Sequence, residues 1–201
     1  MIIERIDDYL KTRPRDKRYT HCFHPSTLYK PAEYLLKAYF DGDSEGDYSS
    51  QRLRVFDNGH DVHKRIQNYL RELGILKEIE CPVENREYEI KGHADGILEI
   101  DGKQGVLEIK SINSRGFYGL FEPDERHLIQ ANIYMFCLKV PRGVILYENK
   151  DNQDLKEFLV KQDPRVIQPI LEKIKLVQNW ISTGRVEVVD CAGKMVNKFL
   201  T

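Results

Sequence analysis

The segment Gly92–Lys110 constrains the chain most, because it joins two apolar-rich runs through Asp101-Gly102. Asp-Gly is among the strongest two-residue hairpin signals, since both central positions of the favoured turn need positive φ. With that turn, Ile100 faces Lys103 and, further along, Asp95 faces Glu108. A longer turn over 102–105 would shift the register. Opposed residues share one sheet face with Cβ atoms about 5 Å apart. Lys110 lies two residues beyond Glu108 and shares that face, whereas Ile109 points the other way. Two opposed carboxylates repel unless a shared proton, the nearby lysine or a divalent cation lies between them. One outcome is a surface hairpin with Lys110 paired to Glu108 in water. The other is a metal held by Asp95 and Glu108 with Lys110 beside it, an arrangement suited to activating water against a phosphodiester.

Around this hairpin the apolar periodicity predicts helices over 2–11, about 31–39, 49–73 and 124–138. A last helix is predicted from Asp163, its N-cap, with Pro164 at its first position, to about Ile181. Ile2, Ile3, Ile6 and Leu10 mark one side of the first helix. Ser26 and Thr27 are good N-caps for the second, although Pro31 restricts its regular part. Strand signals occupy Ile75–Val83, Tyr88–Lys91, Ile97–Ile100, Val106–Ile112, Val144–Tyr147 and Phe158–Val160. The expected fold is α/β, a mixed β-sheet flanked by helices with an N-terminal helical part. The expected organisation is one domain over 1–201. It divides into a mainly helical part (1–74), a core of sheet and helix (75–162), and a C-terminal helix and tail (163–201).

Composition narrows the function classes. Thirty-one Lys and Arg oppose 32 Asp and Glu, so the chain does not coat nucleic acid by bulk charge. A local basic groove remains open, and Lys11, Arg13, Arg15, Lys17 and Arg18 are its most concentrated source. No apolar run approaches the ~20 residues of a membrane span. The acidic start, with Glu4, Asp7 and Asp8, is unlike a signal peptide, so a cytoplasmic protein with no membrane partner is expected. Cys22, Cys81, Cys137 and Cys191 are widely spaced and form no zinc or redox motif. Asp41, Asp43 and Glu45 begin like a calcium loop, but Arg52 stands where a bidentate Glu is needed.

The order Asp95-Gly96 … Glu108-Ile109-Lys110 resembles the core of the PD-(D/E)XK nuclease superfamily. More closely, the chain resembles its RecB-like exonuclease branch, which includes CRISPR-associated RecB-type, mitochondrial genome-maintenance and phage exonucleases. Three further elements match in family order: Ser26-Thr27-Leu28, Gly59-His60-Asp61-Val62-His63 and Gln130-Ala131-Asn132-Ile133-Tyr134. The resemblance covers about residues 25–150. It implies a restriction-endonuclease-like core and a metal-dependent DNA exonuclease, a phosphodiester hydrolase.

The resemblance also implies roles. His63, Asp95, Glu108 and the carbonyl of Ile109 hold a metal, with His60 a rival one helical turn from His63. An imidazole among carboxylates suits Mn²⁺, and Mg²⁺ is the cellular alternative. Lys110 activates water or stabilises charge on phosphate. Gln130 orients the active site, and Tyr134 meets the DNA. Ser26, His93, Arg15 and Arg18 are further DNA-binding candidates, against plain roles in capping, tuning and solvation. Phe117, Tyr118 and Phe121 either pack in the core or stack on unpaired bases. The cysteine trio of cluster-bearing relatives is missing, so no iron–sulfur cluster is expected.

The expected substrate is DNA, single-stranded or with frayed ends, in repair, recombination or replication, alongside proteins of those processes. The rival functions are a structure-specific endonuclease and a noncatalytic DNA-binding scaffold.

Overall fold

A computed structural model describes residues 1–14, 19–42, 48–189 and 195–199. Arg15, Lys17 and Arg18, the segment holding Asp43 and Glu45, and Cys191 lie outside the described residues. The helices are α1 (Ile2–Thr12), α2 (Ala32–Asp41), α3 (Ser50–Glu72), α4 (Ser114–Tyr118), α5 (Glu125–Leu138) and α6 (Pro164–Thr183). The strands β1 (Leu76–Asn85), β2 (Ile90–Ile100), β3 (Lys103–Ile112), β4 (Arg142–Asn149) and β5 (Leu155–Lys161) form one sheet in chain order. Only β3 and β4 pair in parallel, which requires the crossover that α5 supplies. The sheet is therefore mixed and flanked by helices, as expected.

The hairpin has the register expected from its turn. Asp101 and Gly102 both have positive φ, at 52° and 70°, and pairs run from Ile100↔Lys103 to Gly96↔Leu107. Alternation along β3 then divides the core. Leu107 and Ile109 face α3, packing with Val62 and Ile66. Val106 faces α5, packing with Ala131, Tyr134 and Met135. Each such side chain contributes about 1.5–3 kcal/mol of burial. A third cluster joins α2 to α6 through Leu35, Ile174 and Trp180. Asp163 caps α6 by accepting a hydrogen bond from the Arg165 amide at 2.9 Å. Ser49 caps α3 likewise, accepting from the Arg52 amide.

Several expectations need correction. Tyr88–Lys91 and Ile97–Ile100 belong to β2, one strand, because Gly92–Gly96 pair with β1 without a break in the chain's extended course. Ser26 and Thr27 do not cap a long helix. They lie in a single 3₁₀ turn, Pro25–Thr27, and α2 begins only after Pro31. Proline disfavours helical geometry in the residue before it, which separates the two. In α1 only Leu10 is buried, while Ile2, Ile3 and Ile6 are exposed. α1 instead rests on the first half of α3 through Arg13–Asp57 and Arg54–Asp7 ion pairs. That half of α3 lies off the sheet, which leaves Phe56 exposed although it shares a helical stripe with His63 and Leu70. Past α6, β6 (Arg185–Val189) and β7 (Met195–Phe199) pair as a separate two-stranded sheet where only a tail is expected.

Candidate active site

The site forms where β2, β3, α3 and α5 meet. Asp95 is 9% exposed, and its Oδ2 accepts a hydrogen bond from the Ile109 amide at 2.5 Å. That bond ties β2 to β3 beyond the last regular pair and points Oδ1 toward α3. There His63 Nδ1 lies 3.2 Å away. His60, its rival, is exposed, which places His63 and not His60 at the cluster. Gln67, one turn after His63, is buried and donates to the Asp95 carbonyl at 2.9 Å and to Glu80 Oε1 at 3.1 Å.

Glu80 is a member of the cluster that residue order does not reveal. Ligand atoms of His63, Glu80 and Asp95 lie within 4.8 Å of one another, a group able to hold a metal ion. Glu80 sits in β1 between residues paired with Gly96 and Ala94, with φ at 50°. Positive φ is uncommon for a residue with a Cβ and clusters at functional sites. No residue pattern in the chain marks this, because a Glu in an alternating strand is ordinarily a solvated one.

Glu108 is 1% exposed, and neither of its carboxylate oxygens accepts a hydrogen bond of normal geometry. Its ionic partner is Lys110, whose Nζ lies 2.5 Å from Oε1. The pair is thus inside the protein, which removes the reading of a surface hairpin in water. Burial pushes the Glu108 carboxyl up to about 7; Lys110 pulls against this and Asp95 adds to it. Burial alone would lower the Lys110 pKa, but Glu108 and Asp95 outweigh it and keep the ammonium charged. For His63, too, burial acts downward and the Asp95 carboxylate outweighs it. The His63, Glu80 and Asp95 group is a donor set that fits a divalent cation, and the buried Glu108 carboxylate, which feels Asp95 and His63, stands outside that group.

The floor comes from α5. Gln130 Nε2 donates to Tyr134 Oη at 3.1 Å, and both are buried. Burial, then Glu108 and Asp95, raises the Tyr134 pKa well above its usual value. The Pro25–Thr27 turn reaches the same region: a Cβ on Gly92 would lie 3.0 Å from Pro25 and 3.7 Å from the Tyr134 ring. Ser26 is therefore beside the site although it caps no long helix. His93 is exposed on β2, outside the His63, Glu80 and Asp95 group. His127, on the same helix as Gln130, meets Tyr147 Oη through Nδ1 at 2.9 Å. Burial and then Lys110 lower its pKa to about 4, so it stays neutral.

No family model matches the chain. The LHK-Exo alkaline exonuclease from Laribacter hongkongensis superposes with a TM-score of 0.60 at 14% identity, over 90% of this chain and 93% of that one. SSO0001 superposes with a TM-score of 0.57 at 17% identity, over 89% and 83%. A stretch of 109 residues is 34% identical to the CRISPR-associated exonuclease Cas4 of Saccharolobus solfataricus. The chain has the fold of the LHK-Exo alkaline exonuclease, the mixed sheet flanked by helices expected of a restriction-endonuclease-like core. The Cas4 match takes in 54% of this chain, which spans about half (51%) of that relative's length. Within this fold Lys110 pairs with Glu108, and Asp95 lies close enough to act on the charge of both.

The protonation states make cation binding depend on pH. Glu108 and His63 both have raised pKa values, so each favours the folded state most when protonated and loses that contribution as pH rises. For Glu108 the window is from about 4.5 to about 7. A divalent cation held by these two groups would compete with both protons. The rise in melting temperature on adding Mn²⁺ should therefore grow from near zero at acid pH to roughly 5–10 °C above neutrality with cation at ~100 times its Kd. A rise of equal size at all pH values would mean that neither group binds the ion. No helix among the described residues is long and apolar enough to cross a membrane.

Proposed function

We propose that the protein is a metal-dependent deoxyribonuclease acting as an exonuclease on single-stranded or frayed DNA ends. The observation that carries this reading is the Glu108 carboxylate. It is buried, without a normal hydrogen bond, and flanked by Asp95 and Lys110 in a nuclease fold. Lys110 offsets part of the cost of burying that charge, and a divalent cation would offset the rest. The similarity to Cas4 and to LHK-Exo, one structure of which is in complex with dAMP, supports DNA as the substrate.

In this reading His63, Asp95, Glu108 and the Ile109 carbonyl hold Mn²⁺ or Mg²⁺, and Glu80 joins them. The bound cation supplies Lewis-acid polarisation of the phosphate and lowers the pKa of a water. The chain's own residues do the rest. Gln67 holds the Asp95 backbone and Glu80, fixing two carboxylates against α3. The Ile109 amide orients Asp95. Lys110 keeps its proton between Glu108 and Asp95, so its contribution is positive charge for the phosphate oxygens rather than proton removal. Gln130, held by Tyr134, orients the nucleophile's side of the site. Ser26, His93 and Tyr134 are the proposed contacts to the strand, Tyr134 from a buried position, and Arg15 and Arg18, outside the described residues, are proposed with them. The domain expected over 1–201 is the unit proposed to do this.

The test is digestion of end-labelled linear and of circular single-stranded DNA, with Mg²⁺, Mn²⁺ or EDTA. Loss of the linear strand alone, only with metal, is the expected result. Cutting of the circle would make the protein an endonuclease. Binding without cleavage in either metal would make it a scaffold.

A further inference from the structure

The three aromatics that follow β3 have separated fates. Phe117 is core, 3% exposed. Tyr118 is tied through its hydroxyl to Asp154 at 2.8 Å and receives Asn152 Nδ2. Phe121 is 93% exposed, the most exposed large hydrophobic side chain among the described residues. A ring so exposed adds no burial to the fold and is free to meet a ligand.

The loop that carries Phe121 is nonetheless held firmly. Lys156 Nζ, from β5, donates to the Phe117 carbonyl at 2.8 Å and to the Leu120 carbonyl at 2.9 Å. On the other side the Asp124 amide donates to Tyr147 Oη at 3.1 Å, and Asp124 caps α5. Fixed backbone on both flanks means that only the two side-chain torsions of Phe121 remain to be ordered when a ligand binds there.

Charge and continuity say what that ligand is. A hollow containing Phe121, Glu122, Pro123 and Glu125 shares Leu120, Asp124 and Arg126 with a groove of about 390 Å³. That groove lies at the C-terminal ends of the parallel strands β3 and β4, lined by Ser111, Tyr147, His127 and Lys150. Open α/β sheets bind ligands outside such strand ends. Lys110 is the residue before Ser111, and Arg126 and His127 are near enough to act on its charge or to feel it. The groove thus has on its wall Arg126 and His127, whose electrostatic reach extends to Lys110, and it adjoins the hollow that holds Phe121. Beside the ring, Glu122 and Glu125 repel phosphate; in the groove Arg126 is paired with Asp124, Nη2 to Oδ2 at 2.6 Å, and Lys150 adds a second cation. A flat, uncharged face next to an anion is the chemistry of a nucleotide.

We propose that Phe121 is a stacking platform for an unpaired nucleobase of the strand held at the active centre, with the adjoining phosphodiester in the Arg126 and Lys150 groove. The proposal rests on the nuclease reading and adds a recognition element for unpaired strands.

The experiment measures binding of a short single-stranded oligonucleotide, and of the same backbone carrying abasic sites, in EDTA. The intact protein is compared with Phe121→Ala and Phe121→Trp. Phe121→Ala should weaken the normal strand about 5- to 150-fold, the worth of one stacked base, and leave the abasic strand unchanged. Phe121→Trp should retain affinity. The native Trp180 is buried, so the new indole should report strand binding by fluorescence quenching.

Equal loss on both strands, or no loss on either, overturns stacking. So does a Phe121→Ala change in sedimentation rather than in DNA binding, which would make the ring a protein contact. If the intact protein neither binds nor cuts any DNA, the nuclease reading itself fails. If stacking is overturned while the intact protein still cuts linear DNA, the nuclease reading stands without the platform. Melting of Phe121→Ala should match the parent because the ring buries nothing.

Discussion

Glu108→Gln should lower metal-dependent DNA hydrolysis on the order of 10³-fold or more, and Lys110→Ala about 10²- to 10³-fold. The amide keeps the shape of Glu108 but not the charge, in a place where 1% exposure leaves no water to substitute. Lys110→Ala removes the cation that lies 2.5 Å from Glu108 and faces the site. Because these groups act as one unit, the double variant should be little worse than Glu108→Gln alone. Single-turnover rates on linear DNA read this directly. Multiplicative losses would mean that the two side chains serve separate steps. The Mn²⁺-dependent rise in melting temperature should shrink in Glu108→Gln, whereas the circular dichroism of both variants should remain that of a folded α/β protein. Activity retained in Glu108→Gln would remove the carboxylate from the mechanism altogether.

Gly96→Ala should have the largest effect on stability. A Cβ there would lie 2.6 Å from the Glu78 carbonyl oxygen and 2.5 Å from Leu76 Cδ1. The leucine end can turn aside, but the carbonyl is backbone at the point where β1 shifts register between Leu76 and Glu78. β1 must move away, at the expense of pairs that hold Ile79 against Gly96 and Glu78 against Ile97. Overpacking of this kind costs about 2–3 kcal/mol, or roughly 5–10 °C in a chain of this size. Because Asp95 is the neighbouring residue, activity should fall with stability. Gly59→Ala is the contrast. Gly59 lies inside α3, and a Cβ added to it would meet nothing within 4 Å. There the better helix former should raise stability by about 0.5–1 kcal/mol. Melting curves of the two variants should therefore move in opposite directions. A melting temperature unchanged by Gly96→Ala would show that β1 is free to retreat.

The contrast between these glycines shows where reading residues in order succeeds. The Asp101-Gly102 turn requires positive φ twice, and that local demand sets the register from Ile100↔Lys103 to Gly96↔Leu107. Once register is set, period-two alternation puts Glu108 and Lys110 on one face and Ile109 on the other, with no help from distant parts. The cap of α6 is legible for the same reason, since Asp163 serves an amide only two residues away.

Contacts between distant segments are decided by packing. Whether the apolar side of α1 is internal depends on what covers it, and α3 meets α1 through ion pairs, leaving Ile2 and Ile3 in solvent. Whether Ser26 caps a helix depends on Pro31 and on the turn's place against Gly92. Glu80 and Gln67 join the site only because β1 and α3 converge on Asp95, a meeting with no periodic signature. The sequence by itself determined the hairpin, its register and the face shared by Glu108 and Lys110, because backbone φ and pleat are local. Only the tertiary structure decided that this face is dry, with Glu108 buried to 1%, because burial depends on the helices that close over it.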